Sequence, residues 1–332
     1  SEYCLTCTED HPIYNGKDFT RADKLKVGDY VYRFDGEKFP ITAISWHWEA
    51  MDSYDIGTET GSFIASDIIT HNCRTFSAFD INSPDEAHSH MKDGRGNVAP
   101  ATIILPTLAM EAKKKAEHNQ TKATDEFMKI LDKAIDDCVG ELVERFNWIC
   151  AQNPASARFM YENKTFFSYG DDFEKEGIRG ALKHGTLAVG QIGLAECLQI
   201  LLDCDHTTKK GMDFAKKIEQ LYFDKCADYK QKLKLNLGVY YSPGESLCYT
   251  AMKKFKAKYG IIPNVSDHDY FTNSIHVPVW KEISPFEKID IESQLTGYHR
   301  AGCITYVEIG DNAKNNLSAL EQIVKYAMDK DI

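Results

Sequence analysis

The spacing of apolar and polar positions changes near residue 72. Before that point, short stretches alternate apolar and polar side chains and are separated by turn residues such as Gly28-Asp29, a pattern typical of β-strands. The predicted strands cover residues 4–8, 30–34, 39–44, 53–56 and 63–70. We therefore expect residues 1–72 to form an all-β domain.

From residue 73 onward, apolar residues recur at helical spacing, and short strands lie between the helices. The clearest helix carries Phe127, Leu131, Ile135 and Phe146 on one face, with Thr124 as its predicted N-cap. Further predicted helices cover residues 214–229, 246–258 and 317–328, and predicted strands cover residues 235–241, 274–279 and 303–309. Strand, loop and helix in succession indicate a β/α unit, so we expect an α/β domain over residues 73–332.

Composition narrows the classes of partner. The chain has 332 residues with 39 Lys and Arg against 50 Asp and Glu, and this net charge of −11 argues against a nucleic-acid-binding surface. Its longest apolar run, residues 187–202, includes Glu196 and two glutamines and is too short and too polar to span a membrane. Ten cysteines without the paired spacing of secreted proteins favour a cytoplasmic location. The single Cys-x-x-Cys has no second pair at ligand spacing, so no metal site is expected in this chain.

Short motifs follow one another through the first domain: Thr8-x-x-His11, Leu25-x-x-Gly28-Asp29, Tyr54-Asp55, Phe63 and His71-Asn72-Cys73. Together they resemble the C-terminal portion of an intein, a self-splicing domain of the all-β Hint horseshoe type. The nucleophilic first block of inteins is absent from this sequence, and Gly61-Ser62 replace a His often found before the Phe. We therefore expect splicing to need an upstream intein fragment, and we expect the chain to be part of a longer protein at both ends.

The residue types at the junction suit splicing chemistry. The side-chain amide of Asn72 can attack its own main-chain carbonyl and form a succinimide, which cleaves the bond to Cys73. Histidine titrates near neutral pH, so His71 can protonate the leaving amine. The thiolate of Cys73 can accept the upstream acyl group. By resemblance, His11 assists the first amide-to-thioester shift together with Thr8.

A second set of motifs runs through the rest of the chain: Cys73-Arg74-Thr75-Phe76, Lys92-Asp93-Gly94-Arg95-Gly96-Asn97, Tyr241-Ser242-Pro243-Gly244-Glu245-Ser246-Leu247-Cys248 and Tyr270-Phe271-Thr272-Asn273-Ser274. They strongly resemble the catalytic region of the anaerobic, class III ribonucleoside-triphosphate reductases. The resemblance implies part of the ten-stranded α/β barrel of glycyl-radical enzymes, with Cys73 on a finger loop as the carrier of a thiyl radical. Arg74 after a single cysteine favours this family over pyruvate formate-lyase, which has two adjacent cysteines.

Two further residues match positions in the active site of that family. Asn97 aligns with an asparagine that contacts substrate, and Glu245 aligns with an active-site glutamate. Each also has a simpler interpretation. Residues 94–97 could form a tight turn and nothing more, and Glu245 could serve as a helix cap near Ser246.

The resemblance also implies groups outside this chain. The complete enzyme would carry a glycyl radical, generated by an activase that uses S-adenosylmethionine and a 4Fe–4S cluster, and formate or a thiol protein would be the reductant. A zinc site is expected beyond residue 332. The expected partners are a ribonucleoside triphosphate substrate, the activase, a second subunit in a homodimer and an upstream intein fragment, whereas nucleic acid and membranes are not expected. The alternative is a different glycyl-radical enzyme that carries a decayed, non-splicing intein.

Overall fold

The structure is a computed structural model that describes residues 12–17, 19–32, 37–45, 62–65, 68–71, 77–85, 89, 95–117, 119–157, 161, 175–307, 316–330 and 332. The chain divides into two compact units, Ser1–Arg74 and Thr75–Ile332. The predicted domain boundary follows Asn72, and the division between the units follows Arg74. Four of the predicted splicing residues, Thr8, His11, Asn72 and Cys73, lie outside the described residues.

The described part of the first unit consists of antiparallel strands and one 3₁₀ turn, Ala22–Lys24. The strands are β1 (Pro12–Tyr14), β2 (Phe19–Arg21), β3 (Tyr30–Tyr32), β4 (Lys38–Pro40), β5 (Ser62–Ala65) and β6 (Ile68–His71). Four of them form a sheet in the order β2-β1-β6-β5, and β3 pairs with β4. Ile13, Leu25 and Val31 form the small buried core of this unit.

The prediction of one strand over residues 63–70 is wrong. This segment contains β5 and β6, which pair antiparallel with Phe63 opposite Thr70. The two strands run in opposite directions, and Ala65 pairs with Ile68. Ser66 and Asp67 lie between the two strands in the sequence, and both are common turn residues.

The second unit is built on three parallel strands, β7 (Asn97–Ile104), β8 (Thr186–Ile192) and β9 (Asn236–Tyr241), in the order β7-β8-β9. The helices are α1 (Leu105–Lys115), α2 (Gln120–Cys150), α3 (Ile178–Leu182), α4 (Leu194–Leu202), α5 (Lys209–Leu233), α6 (Glu245–Tyr259), α7 (Pro285–Thr296) and α8 (Leu317–Asp329), with a 3₁₀ turn at Pro154–Ala157. This alternation is the expected α/β arrangement.

The two faces of the parallel sheet differ because side chains alternate along each strand. Leu187 and Val189 of β8 belong to the large core that includes the apolar side of α2, and we call this the outer face. The other face, here the inner face, carries Ala188 of β8 and Tyr240 of β9, which pack with Ala301. The helices therefore cover the outer face.

Two details of the predicted elements are corrected. The N-cap of α2 is Asn119, whose Oδ1 accepts a hydrogen bond from the main-chain nitrogen of Lys122 at 3.0 Å, and Thr124 lies inside the helix. No strand forms over residues 274–279 or 303–307. In the first of these segments the main-chain nitrogen of Val277 donates to the Glu292 carboxylate instead of to a neighbouring strand.

No helix in the described part of the chain has the length and apolar character needed to cross a membrane.

Candidate active site

On the inner face of the sheet, a hydrogen bond crosses the middle strand β8. The hydroxyl oxygens of Thr102 on β7 and Ser242, just after β9, lie 2.9 Å apart. Gly190 of β8 lies between them, and a Cβ atom there would be 2.0 Å from the Ser242 oxygen and 3.0 Å from the Thr102 oxygen. Glycine is therefore required at this position so that the two hydroxyl groups can meet.

Asn97 lies at the amino end of the same sheet, as the first residue of β7. Its Nδ2 atom donates to the carbonyl oxygen of Ala301 at 3.2 Å, and its Oδ1 atom is buried without a hydrogen-bond partner in the described part of the chain. A buried acceptor without a donor is costly, by about 1–3 kcal/mol. The side chain therefore offers an oxygen that a ligand hydroxyl group could satisfy. Asn97 belongs to a strand, so the interpretation of residues 94–97 as a turn and nothing more does not hold for Asn97 itself.

Glu245 lies at the opposite end of the sheet. It is the first residue of α6, directly after the loop that follows β9. Gly244 occupies the N-cap position and makes no side-chain capping hydrogen bond itself. The position of the Glu245 side chain lies outside the described part of the structure. Thr186 and Ile192 mark the two ends of the middle strand, which spans roughly 20 Å, and Asn97 and the start of α6 lie at opposite ends of the sheet.

A short segment contacts the loop before α6 through two side chains and a buried acid through a third. It consists of Thr272, Asn273 and Ser274, and we call it the 272–274 clasp. The Oδ1 atom of Asn273 accepts hydrogen bonds from the main-chain nitrogen of Gly244 at 2.5 Å and from the Cys248 thiol at 3.1 Å. The hydroxyl group of Ser274 donates to the carbonyl oxygen of Ser242 at 2.7 Å. Two of the three side chains thus bind main-chain atoms of the loop.

The third side chain of the clasp binds a buried acid. Both the main-chain nitrogen and the hydroxyl group of Thr272 donate to the Oε1 atom of Glu196, at 2.8 and 2.7 Å. Burial raises the pKa of Glu196 to about 7, although the hydrogen bonds from Thr272 favour its charged form. Burial and the nearby Glu196 raise the pKa of Cys248 to about 12, so this thiol is protonated near neutral pH.

The motif of residues 270–274 contains the clasp but does not by itself predict what its side chains bind, and in the sequence Glu196 is a polar interruption of an apolar run. A signal was present: a single acid in a run of apolar residues must have a specific partner if it is buried. The sequence could not show which residue that partner is.

The outer face carries a separate polar cluster. Gln191 donates through Nε2 to Oε1 of Glu219 at 2.5 Å, and the Tyr241 hydroxyl lies 3.1 Å from Oε2 of Glu219 and 2.6 Å from the carbonyl oxygen of Leu295. Burial raises the pKa of Glu219 to about 7. Because this cluster is on the helix-covered face, it is not part of the candidate site.

Residues 54–332 match the sequence profile of the family described as NRDD, anaerobic ribonucleoside-triphosphate reductase. The chain belongs to this family. The match begins at residue 54, inside the segment predicted to be the intein portion. It covers Asn97, Glu245 and the clasp.

Individual relatives of the anaerobic reductase family match about three quarters of the chain. The enzyme of Enterobacteria phage T4 is 29% identical over 248 residues, which are 73% of this chain and 38% of the phage protein. The enzyme of Escherichia coli strain K12 is 27% identical over 264 residues, which are 77% of this chain and 34% of the bacterial protein. The chain thus spans about a third of the length of these relatives.

The solved structures show a similar fold. The anaerobic ribonucleotide reductase from Thermotoga maritima, solved with dATP bound in its specificity site, gives a TM-score of 0.51 at 14% identity. The similarity covers 70% of this chain and 36% of that chain. At 14% identity the similarity shows the fold alone.

Proposed function

We propose that the complete protein containing this chain reduces ribonucleoside triphosphates to deoxyribonucleoside triphosphates under anaerobic conditions, and that the second unit is part of its catalytic barrel. Family membership carries this proposal, and the unpaired oxygen of Asn97 supports it. An acceptor held on the inner face of a sheet by Ala301 suits recognition of a ribose hydroxyl group.

The roles of the other residues follow from the family resemblance. Cys73 carries the thiyl radical that removes the hydrogen atom from C3′ of the ribose. An S–H bond forms in this step, and it breaks again when the hydrogen is returned to the ribose and the thiyl radical is regenerated. Glu245 acts on the substrate from the loop after β9. The main-chain amides at the start of α6 favour an anionic group nearby, as helix N-termini do.

The reaction also needs groups that we place outside this chain. These are a glycyl radical, the activase with its S-adenosylmethionine and 4Fe–4S cluster, a zinc site, and formate or a thiol protein as reductant. We further propose that the enzyme is a cytoplasmic homodimer.

The test is deoxyribonucleotide formation by the activated full-length enzyme, with radical content measured by electron paramagnetic resonance. Asn97→Ala should lower kcat/KM by about tenfold to a hundredfold, because one hydrogen bond to the substrate is lost. Asn153→Ala is the control, since the Oδ1 atom of Asn153 accepts a local main-chain bond from Ala155 in an exposed turn. An enzyme that holds the radical but reduces no ribonucleoside triphosphate would contradict the proposal, and a substrate screen would then test the other glycyl-radical chemistries.

We also propose that residues 1–72 are the C-terminal portion of an intein that is cleaved between Asn72 and Cys73. The strand pairing of the first unit supports this. Ile13 of β1 pairs antiparallel with Thr70 of β6, so the first residue of β1 and the last residue of β6 lie next to each other at one end of these two strands. In the sequence, His11 is the residue immediately before β1, and Asn72 is the residue immediately after β6.

Intact mass spectrometry of the purified chain, incubated with a thiol, tests the intein proposal. Cleavage would release a product that begins at Cys73 and has 332 − 72 = 260 residues. Asn72→Ala should abolish this product because alanine cannot form the succinimide. If the wild-type chain is not cleaved even when an upstream intein fragment is added, the segment is a decayed remnant.

A further inference from the structure

The hydrogen-bond partners of the Asn273 side-chain amide fix its orientation. Both groups facing it, the Gly244 main-chain N–H and the Cys248 thiol, are donors, so an oxygen must face them. The Nδ2 atom therefore points away from the loop. The contact ties Gly244, the N-cap of α6, and Cys248 within the helix to a single oxygen atom.

Gly244 is needed for this contact because of space, not because of its backbone conformation. Its φ of −73° is open to any residue. A Cβ atom at Gly244 would, however, lie 2.6 Å from the Cys248 sulfur and 2.9 Å from the Asn273 Oδ1 atom. A side chain at this position would push Asn273 away from the loop.

Glu196 of α4 binds the clasp through Thr272. Its neighbours on α4, including Leu194, Cys197 and Leu198, are buried and apolar, so an apolar side chain would avoid the cost of burying a carboxyl group there. Two groups of Thr272 donate hydrogen bonds to one oxygen of its side chain. The effect of the carboxyl group is thus to hold residue 272, and with it the clasp, against α4.

We propose that Asn273 is the positioning residue for the Ser242–Glu245 loop and that Glu196 is its buried anchor. Together they determine where Glu245 and the first amides of α6 meet the substrate. This inference rests on the proposed reductase function of Glu245. Neither residue needs to touch the substrate, since both act through the loop.

The first experiment measures the clasp itself in this chain, without any need for activity. Cys248 is buried and donates to Asn273, so its alkylation rate, followed by peptide mapping, reports local opening. Asn273→Ala and Glu196→Ala should each speed alkylation of Cys248 by about tenfold or more, since each removes a bond that holds the segment. Glu196→Gln keeps an oxygen for Thr272 and should restore the slow rate, and Asn153→Ala is the matched control.

Gly244→Ala keeps the experiment decisive if Asn273→Ala does not fold. It removes no hydrogen-bonding group but crowds Asn273, so it should also speed alkylation of Cys248. Melting curves of each variant show that the rest of the unit is intact. An unchanged alkylation rate in the folded Asn273→Ala or Gly244→Ala protein would overturn the positioning role.

The second experiment measures the effect on the substrate in the activated full-length enzyme. Asn273→Ala and Glu196→Ala should lower kcat/KM by about tenfold to a hundredfold, because small displacements of an active-site group have large effects, and Glu196→Gln should stay near the wild-type value. If the wild-type enzyme reduces no nucleotide, the proposed function fails while the alkylation result still stands. If the wild-type enzyme is active and Asn273→Ala opens the loop without lowering kcat/KM, the positioning inference fails alone.

Discussion

The hydroxyl groups of Thr102 and Ser242 form a hydrogen bond across the middle strand of the parallel sheet, 2.9 Å apart, directly over Gly190. The bond connects β7 with the residue that follows β9. Strands β7 and β9 do not pair with each other, because β8 lies between them. The bond closes the inner face of the sheet next to the loop that carries Glu245. The bond can form because Gly190, the residue of the middle strand beneath it, has no side chain.

Replacement of Gly190 by alanine should therefore destabilise the second unit. The new Cβ would overlap the Ser242 oxygen and break its bond to Thr102, and overpacking of this kind costs about 1–3 kcal/mol. Urea unfolding measures the loss. Gly140→Ala in α2 is the control: among the described residues, nothing beyond the adjacent backbone of its own helix lies within 4 Å of its Cβ position, so it should stabilise the unit by about 0.5–1 kcal/mol. Equal stability of Gly190→Ala and wild type would show that Ser242 can move at no cost.

The stability of the second unit should fall between about pH 4.5 and pH 7 through Glu219. Burial raises the pKa of Glu219 from 4.5 to about 7, so the folded state holds a proton that the unfolded state releases in this range. The stabilisation is complete below the unfolded pKa and is lost as the pH rises through the folded pKa. When protonated, Glu219 can donate to the Tyr241 oxygen, while the Tyr241 hydroxyl donates to Leu295.

Glu219→Gln should remove part of this pH dependence. The glutamine keeps an acceptor for Gln191 and a donor for Tyr241 but carries no charge at any pH. We expect its melting temperature to exceed that of the wild type near pH 8 and to match it near pH 4, where both side chains are neutral. Glu141→Gln, on the exposed side of α2, is the control. A wild-type advantage near pH 8 would show that Glu219 is ionised and well solvated in the fold.

Glu292 has the opposite dependence. Burial alone would raise its pKa, but the hydrogen bond and charge of His276 and the charge of Lys288 lower it to about 2. The stabilisation is therefore present above the unfolded pKa of 4.5 and is lost as the pH falls toward 2. Glu292→Gln should reduce the free energy of unfolding near pH 7 and have a smaller effect near pH 3. Chemical unfolding at both pH values measures this, with the exposed Glu287→Gln on the same helix for comparison; a loss that is equal at both pH values would refute the charge argument.

Unspliced full-length enzyme should be inactive. Cys73 is proposed to be both the splicing nucleophile and the radical carrier, so in the precursor it is still joined to Asn72. Asn72→Ala blocks the cleavage and should give a protein that reduces no ribonucleotide after activation. Reduction by this unspliced variant, at a rate comparable with that of the spliced enzyme, would show that the first unit does not interrupt the active site.

Local patterns predicted much of the second unit. The spacing of Phe214, Ile218 and Tyr222 predicted α5, and the apolar run before Tyr241 predicted β9. The alternation of Ile275, Val277 and Val279 predicted a strand that does not form. Tertiary contacts decide that segment, because the main-chain nitrogen of Val277 donates to a carboxylate on α7.

The sequence by itself determined the family, through motifs whose order is written in the chain, and the periodic elements, because periodicity depends on neighbours within one turn or one strand. Only the tertiary structure decided which polar groups meet. Glu196 and Thr272 are 76 residues apart, and Thr102 and Ser242 are 140 residues apart. Their contacts depend on how whole elements pack, and packing is a property of the folded unit that no local pattern contains.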